Sequence, residues 1–71
     1  MSSETIQVVI NGETRAIARG RSVSDLLADL QLHPRLVVVE HNRAILDRDH
    51  YSQTEVRDGD ALELVHFVGG G

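Results

Sequence analysis

The chain contains no cysteine, no lysine and no tryptophan, and only one residue each of proline, tyrosine and phenylalanine. Without cysteine there is no disulfide framework and no thiolate metal site, so any sulfur chemistry must use another group. Without lysine, all seven basic residues are arginine and no side chain offers a primary amine for conjugation. An arginine-rich genome explains the same composition without a functional reason. Tyr51 and Phe67 alone cannot build a base-stacking platform, and a formal net charge of −4 opposes the phosphates of nucleic acid. The longest aliphatic run, Leu36 to Val39, is far too short to span a membrane. No basic segment leads into an apolar one, so no signal peptide is expected and the expected location is the cytoplasm.

What is present fits one small domain. A chain of 71 residues buries about 60% of its unfolded surface and has no room for both a core and a large catalytic cleft. A binding or carrier module is expected rather than a stand-alone enzyme. Over Thr5 to Ile10 the residues alternate, with Ile6, Val8 and Ile10 on one face and Gln7 and Val9 on the other, which predicts a half-buried strand. Asn11-Gly12 is a strong hairpin signal, because a type I′ turn needs positive φ at both central residues. Glu13 to Ala18 is the returning strand, broken by Gly20.

Ser22 is an N-cap with Asp25 three residues on, close to a capping box. Val23, Leu26, Leu27 and Leu30 then fall on one helical stripe. Core packing is the expected use of that stripe, and His33-Pro34 is expected to end the helix. Leu36 to Glu40 is read as a buried strand, His41-Asn42-Arg43 as a turn and Ala44 to Leu46 as a short strand. Asp47 to Ser52 is irregular with room for one helical turn, and Tyr51 folds back as an anchor. Thr54 to Val56 is a short edge segment, Asp58-Gly59-Asp60 a tight turn and Ala61 to Val68 the last strand. One helix can cover only one sheet face, so the order predicts an α+β roll, a mixed sheet with one main helix packed across it. The first hairpin and the last strand are expected side by side at the sheet centre.

Few side-chain constellations carry chemistry. The four histidines, His33, His41, His50 and His66, are scattered and do not have metal-site spacing. Asp58 and Asp60 lack the remaining positions of a calcium loop. No catalytic residue and no metal site are assigned. The last strand runs instead into Gly69, Gly70 and Gly71. Glycine has no Cβ and its backbone enters spaces closed to other residues. A tail of three residues reaches roughly 10 Å. Two readings fit it: a carboxylate on Gly71 delivered into another protein's active site, or a frayed terminus or fusion scar. If Leu62 and Leu64 face the helix, Val65 and Phe67 face away, together with Val9. That leaves an exposed apolar patch at the root of the tail, suited to a partner. A register slip near the strand end would instead turn these residues inward.

Val37-Val38-Val39-Glu40-His41-Asn42, the Asp58-Gly59-Asp60 turn and the ending from Leu62 through Val65-His66-Phe67-Val68 to Gly71 resemble the ThiS family of thiamine-biosynthesis sulfur carriers. The Asn11-Gly12 hairpin and the Leu26-Leu27 helix fall at matching places, and the resemblance covers nearly the whole chain from Ile6. It implies a ubiquitin-like β-grasp fold over a single domain, residues 1–71, with a flexible tail at 69–71. It implies that the Gly71 carboxylate is adenylated by a ThiF-like adenylyltransferase using ATP. The carboxylate would then become a thiocarboxylate, with sulfur from a donor such as a cysteine desulfurase. Thiazole synthase (ThiG-like) would receive the sulfur. On this resemblance Gly69 and Gly70 thread the tail and the carrier itself binds no cofactor. The alternation above makes Val65, Phe67 and Val9 the residues expected to meet partners, and composition leaves no nucleic acid or membrane expected among those partners. The small subunit of molybdopterin synthase, a lysine-conjugated ubiquitin-like modifier and a non-carrier β-grasp module are the rival readings.

Overall fold

The computed structural model describes residues 4–67. Val68, Gly69, Gly70 and Gly71 lie outside them. The elements are β1 (Thr5–Ile10), β2 (Glu13–Ala18), α1 (Val23–Asp29), β3 (Val37–His41), β4 (Ala44–Leu46) and β5 (Ala61–His66), with 3-10 turns at Pro34–Leu36 and Arg48–His50. The strands form one sheet in the order β2-β1-β5-β3-β4. β1 and β5 run parallel and every other neighbouring pair is antiparallel, so the sheet is mixed. α1 covers one face. Ile6, Val8, Ile10, Val37, Val39, Leu62 and Leu64 point to it, and Val23, Leu26 and Leu27 of the helix meet them, each at most 1% exposed. This is the expected α+β roll.

The helix begins as its sequence predicts. The Ser22 hydroxyl accepts from the Asp25 N–H and the Asp25 carboxylate accepts from the Ser22 N–H, both at 3.0 Å, completing the capping box. Its end differs from expectation. The helix stops at Asp29, not at His33-Pro34, because the chain enters a left-handed turn at Gln31 (φ 60°). There the Gln31 N–H donates to Ala28 C=O at 3.0 Å and the Leu32 N–H to Leu27 C=O at 2.8 Å, closing a Schellman motif. Pro34 instead opens the next 3-10 turn.

Three other expectations change. β3 is not buried on both sides: Val38 is 36% exposed, because among the described residues no second layer covers the face opposite α1. Thr54 to Val56 forms no strand. It is tied by a lone bridge between Ser22 and Glu55, while Val56 inserts into the core. The first hairpin does not sit wholly at the centre. β5 is central and β1 flanks it, but β2 is an edge, as suits a strand whose residues other than Ile17 are exposed. Tyr51 is the anchor expected: its ring is buried and its hydroxyl donates to Val37 C=O at 3.0 Å. Among the described residues no helix is long and apolar enough to cross a membrane.

Candidate functional site

β5 is the element that leads toward the glycines, and turns on both sides hold it. β1 pairs with it over Val9↔Ala61 and Ile10↔Leu62. Where β1 ends, Asn11 takes over. Its N–H donates to Leu62 C=O at 2.9 Å, its Oδ1 accepts from the Leu64 N–H at 2.7 Å, and its Nδ2 donates to Leu64 C=O at 3.2 Å. Asn42 does the same at the other end of the strand. Its N–H donates to Ala61 C=O at 2.8 Å and its Oδ1 accepts from the Ala61 N–H at 2.9 Å. Both asparagines are the first turn residue of a hairpin and both have φ 50°. Asparagine tolerates that conformation, and its amide offers a donor and an acceptor, as a peptide group does.

Beyond β5 the ladder continues, as the Phe67 N–H donates to Leu36 C=O at 2.7 Å. The last described residue is thus still fixed to the sheet.

The turn before β5 is tied as firmly. Asp58 Oδ1 accepts from the Gln7 N–H at 2.8 Å, and the Gly59 N–H donates to Gln7 C=O at 2.7 Å. Asp60 gathers His41 Nε2 at 2.7 Å, the Arg57 N–H at 2.9 Å and Asn42 Nδ2 at 3.2 Å. Burial opposes the charge of the Asp60 carboxylate. The hydrogen bonds from His41, Arg57 and Asn42 outweigh it and hold its pKa below the ordinary value of 3.8. These aspartates stitch the turn to the sheet. Among the described residues no group of acidic and histidine side chains could hold a metal ion.

The alternation along β5 places its side chains as expected. Leu62 and Leu64 are 1% and 7% exposed, whereas Val65 and Phe67 are 53% and 55% exposed on the helix-free face. Val9 shares that face but does not join the patch. It pairs with Ala61, four residues from Val65 along β5, roughly 13 Å at strand spacing, and is half-buried. Its place next to Val65 is taken by Val38, which pairs directly with Val65. Ile45, 71% exposed and opposite Glu40, and Leu36, 39% exposed beside Phe67, extend the apolar area. Reading β3 as buried hid Val38; its pairing with the last strand is the signal that would have revealed it. The expected roles of Gly69, Gly70 and Gly71 lie outside the described residues.

On the helix side, a shallow groove of about 310 Å³ lies between Leu30, Leu32, Leu64 and His66, with Arg15 and Glu13 on its rim. It holds no nucleophile paired with a base. The arrangement presents an exposed apolar patch and a rigid strand pointing at a glycine end.

Comparison with known proteins agrees with this picture. Residues 8–71 match the model of the ThiS family. The chain is 46% identical over 50 residues to the sulfur carrier protein ThiS of Bacillus subtilis, covering 70% of this chain and 76% of that protein. It is 44% identical over 66 residues to a thiazole synthase of Paramagnetospirillum magneticum, covering 93% of this chain. It spans only 20% of that relative's length. The crystal structure of a thiamine biosynthesis protein, ThiS, from Geobacter metallireducens superposes with a TM-score of 0.80 at 35% identity, covering 93% of this chain and 100% of that one. With the β-grasp sheet, α1 packed across it and the family match running through Gly71, the chain belongs to the ThiS family.

Proposed function

We propose that this protein carries sulfur for thiamine biosynthesis, as a thiocarboxylate on Gly71 that supplies the thiazole ring. The observation that carries this reading is the family match through the final glycines, reached by a strand fixed to the sheet as far as Phe67. A carboxylate is a poor electrophile, because its charge repels nucleophiles and oxide is a poor leaving group. Attack of the Gly71 carboxylate on the α-phosphorus of ATP expels pyrophosphate and gives an acyl-adenylate. The terminal sulfur of a persulfide on a donor such as a cysteine desulfurase then displaces AMP. A thiol reductant cleaves the resulting acyl disulfide, leaving the thiocarboxylate on Gly71 and a disulfide on the thiol side.

The carrier needs no acid or base of its own for these steps. A ThiF-like adenylyltransferase supplies the electrostatic and positioning terms, and a thiazole synthase consumes the sulfur. That two relatives named thiazole synthase contain a segment similar to this chain supports the second partnership. The protein therefore acts as a co-substrate and not as an enzyme. Val65 and Phe67 are its docking contacts, with Val38 beside them. Glycine at positions 69 and 70 lets the tail thread to the reacting centre.

Capping the tail tests the reading. One residue added after Gly71 should abolish thiazole formation in a reconstituted system without changing thermal stability. Full activity of the extended chain would favour a module whose glycine end has no chemical role.

A further inference from the structure

Next to the apolar patch, β3 and β5 place Glu40 directly opposite Glu63 on the helix-free face. Side chains so paired have Cβ atoms about 5 Å apart, and like charges in that position destabilise a sheet. Among the described residues the ion pairs join Arg21 to Asp29, His41 to Asp60 and Arg57 to Glu55, and none reaches Glu40 or Glu63. Val38 and Val65 flank the two carboxylates on one side, and Ile45 lies beside Glu40. Two carboxylates thus sit side by side, without an ion pair among the described residues, on the sheet face opposite α1.

We propose that Glu40 and Glu63 are a recognition site for an arginine or lysine of the adenylating enzyme, seated between the two carboxylates while apolar side chains of that enzyme cover Val38, Val65 and Phe67. This rests on the carrier reading above. One cation accepted by both carboxylates replaces a repulsion with two charge-assisted hydrogen bonds. A second copy of this chain does not fit the face, since it would bring four carboxylates together, and like charges across an interface are costly. The face is continuous with the root of the tail, so whatever takes the tail into its active site also meets it. That enzyme must bind the phosphates of ATP, so its own site is basic, and the chain's net charge of −4 steers the approach.

The test is carrier-dependent ATP–pyrophosphate exchange by the adenylating enzyme of the same organism. The parent is compared with Glu40→Gln/Glu63→Gln and with a control of equal charge loss on other surfaces, Glu13→Gln/Glu55→Gln. The Glu40/Glu63 variant should melt at or above the parent temperature. Its KM should rise about tenfold with kcat unchanged, the mark of lost charge complementarity rather than lost chemistry. Between about 0.05 M and about 0.5 M salt, the parent KM should rise more steeply than the variant's.

An unchanged KM, an equal rise in the control or equal salt slopes would overturn the proposal. So would a dimer of the parent that the Glu40/Glu63 variant strengthens, since a second copy would then cover the face. If the parent itself supports no exchange, the carrier reading falls and takes this inference with it. Normal exchange by both parent and variant removes this inference alone.

Discussion

The side chain of Asn11 holds both backbone groups of Leu64, 53 residues away, accepting from its N–H at 2.7 Å and donating to its C=O at 3.2 Å. β1 ends one residue earlier, so the asparagine amide continues the β1–β5 ladder after the strand has turned away. The same residue makes the hairpin turn, with φ 50°. One position therefore both makes the hairpin turn and holds β5 in register at Leu64.

These two roles separate by mutation. Asn11→Gly keeps the positive φ and removes the amide. It should destabilise the protein by about 1–3 kcal/mol in urea unfolding, from two lost hydrogen bonds and a Leu64 N–H left without its partner. Hydrogen exchange at Leu64 should accelerate more than at Val39. Asn11→Ala should cost more than Asn11→Gly, because it adds strain in the turn.

The proposed docking role of Phe67 and the packing role of Leu64 should separate by mutation. Leu64→Ala should destabilise by about 2–5 kcal/mol, the usual result of truncating a core leucine. Phe67→Ala, at a side chain 55% exposed, should cost much less stability. It should weaken binding to the adenylating enzyme or to thiazole synthase by more than about 1 kcal/mol, measured by calorimetry. A Phe67→Ala variant that unfolds while Leu64→Ala merely binds poorly would reverse the assignment of the two faces.

Much of this was legible in the residues, and the failures have physical causes. The capping box at Ser22 and Asp25, the Asn11-Gly12 turn and the inward facing of Leu62 and Leu64 depend on local chemistry or strict alternation, and they stand as expected. The helix end was misplaced because Gln31, not glycine, adopts the left-handed conformation, and nothing in its side chain announces that. The exposure of Val38 does not show in its spacing, because a run of valines reads alike whether one or both faces are covered. Only the strand order shows its partner to be Val65. The same long-range pairing separates Val9 from the patch and joins Glu40 to Glu63, neither of which follows from spacing along the chain. The clamps of Asn11 and Asn42 on β5 were hidden for the same reason: a turn asparagine is visible in sequence, but what its amide reaches is not.

Acid should loosen the turn before β5. The Asp60 carboxylate has a lowered pKa in the folded protein, so its contribution to stability is fully present above the ordinary value of 3.8 and is lost as pH falls through the folded value. Asp60→Asn should flatten the acid limb of a stability–pH profile between about pH 5 and about pH 2. The neutral-pH stability should fall as well, since the amide cannot accept from His41, Arg57 and Asn42 as the carboxylate does.

Bulk in the tail should matter more than its charge. Gly70→Val is expected to leave the melting temperature unchanged and to abolish adenylation, because the added side chain must enter a channel sized for bare backbone. Adenylation at the parent rate would remove the threading role of the glycines.

The central claim is that Gly71 carries the sulfur, and intact mass after incubation with the adenylating enzyme, ATP and a sulfur source tests it most directly. The account predicts a gain equal to exchange of one oxygen for one sulfur, confined to the last peptide and absent without ATP. An unchanged mass, with an enzyme shown to be active on another carrier, would contradict it.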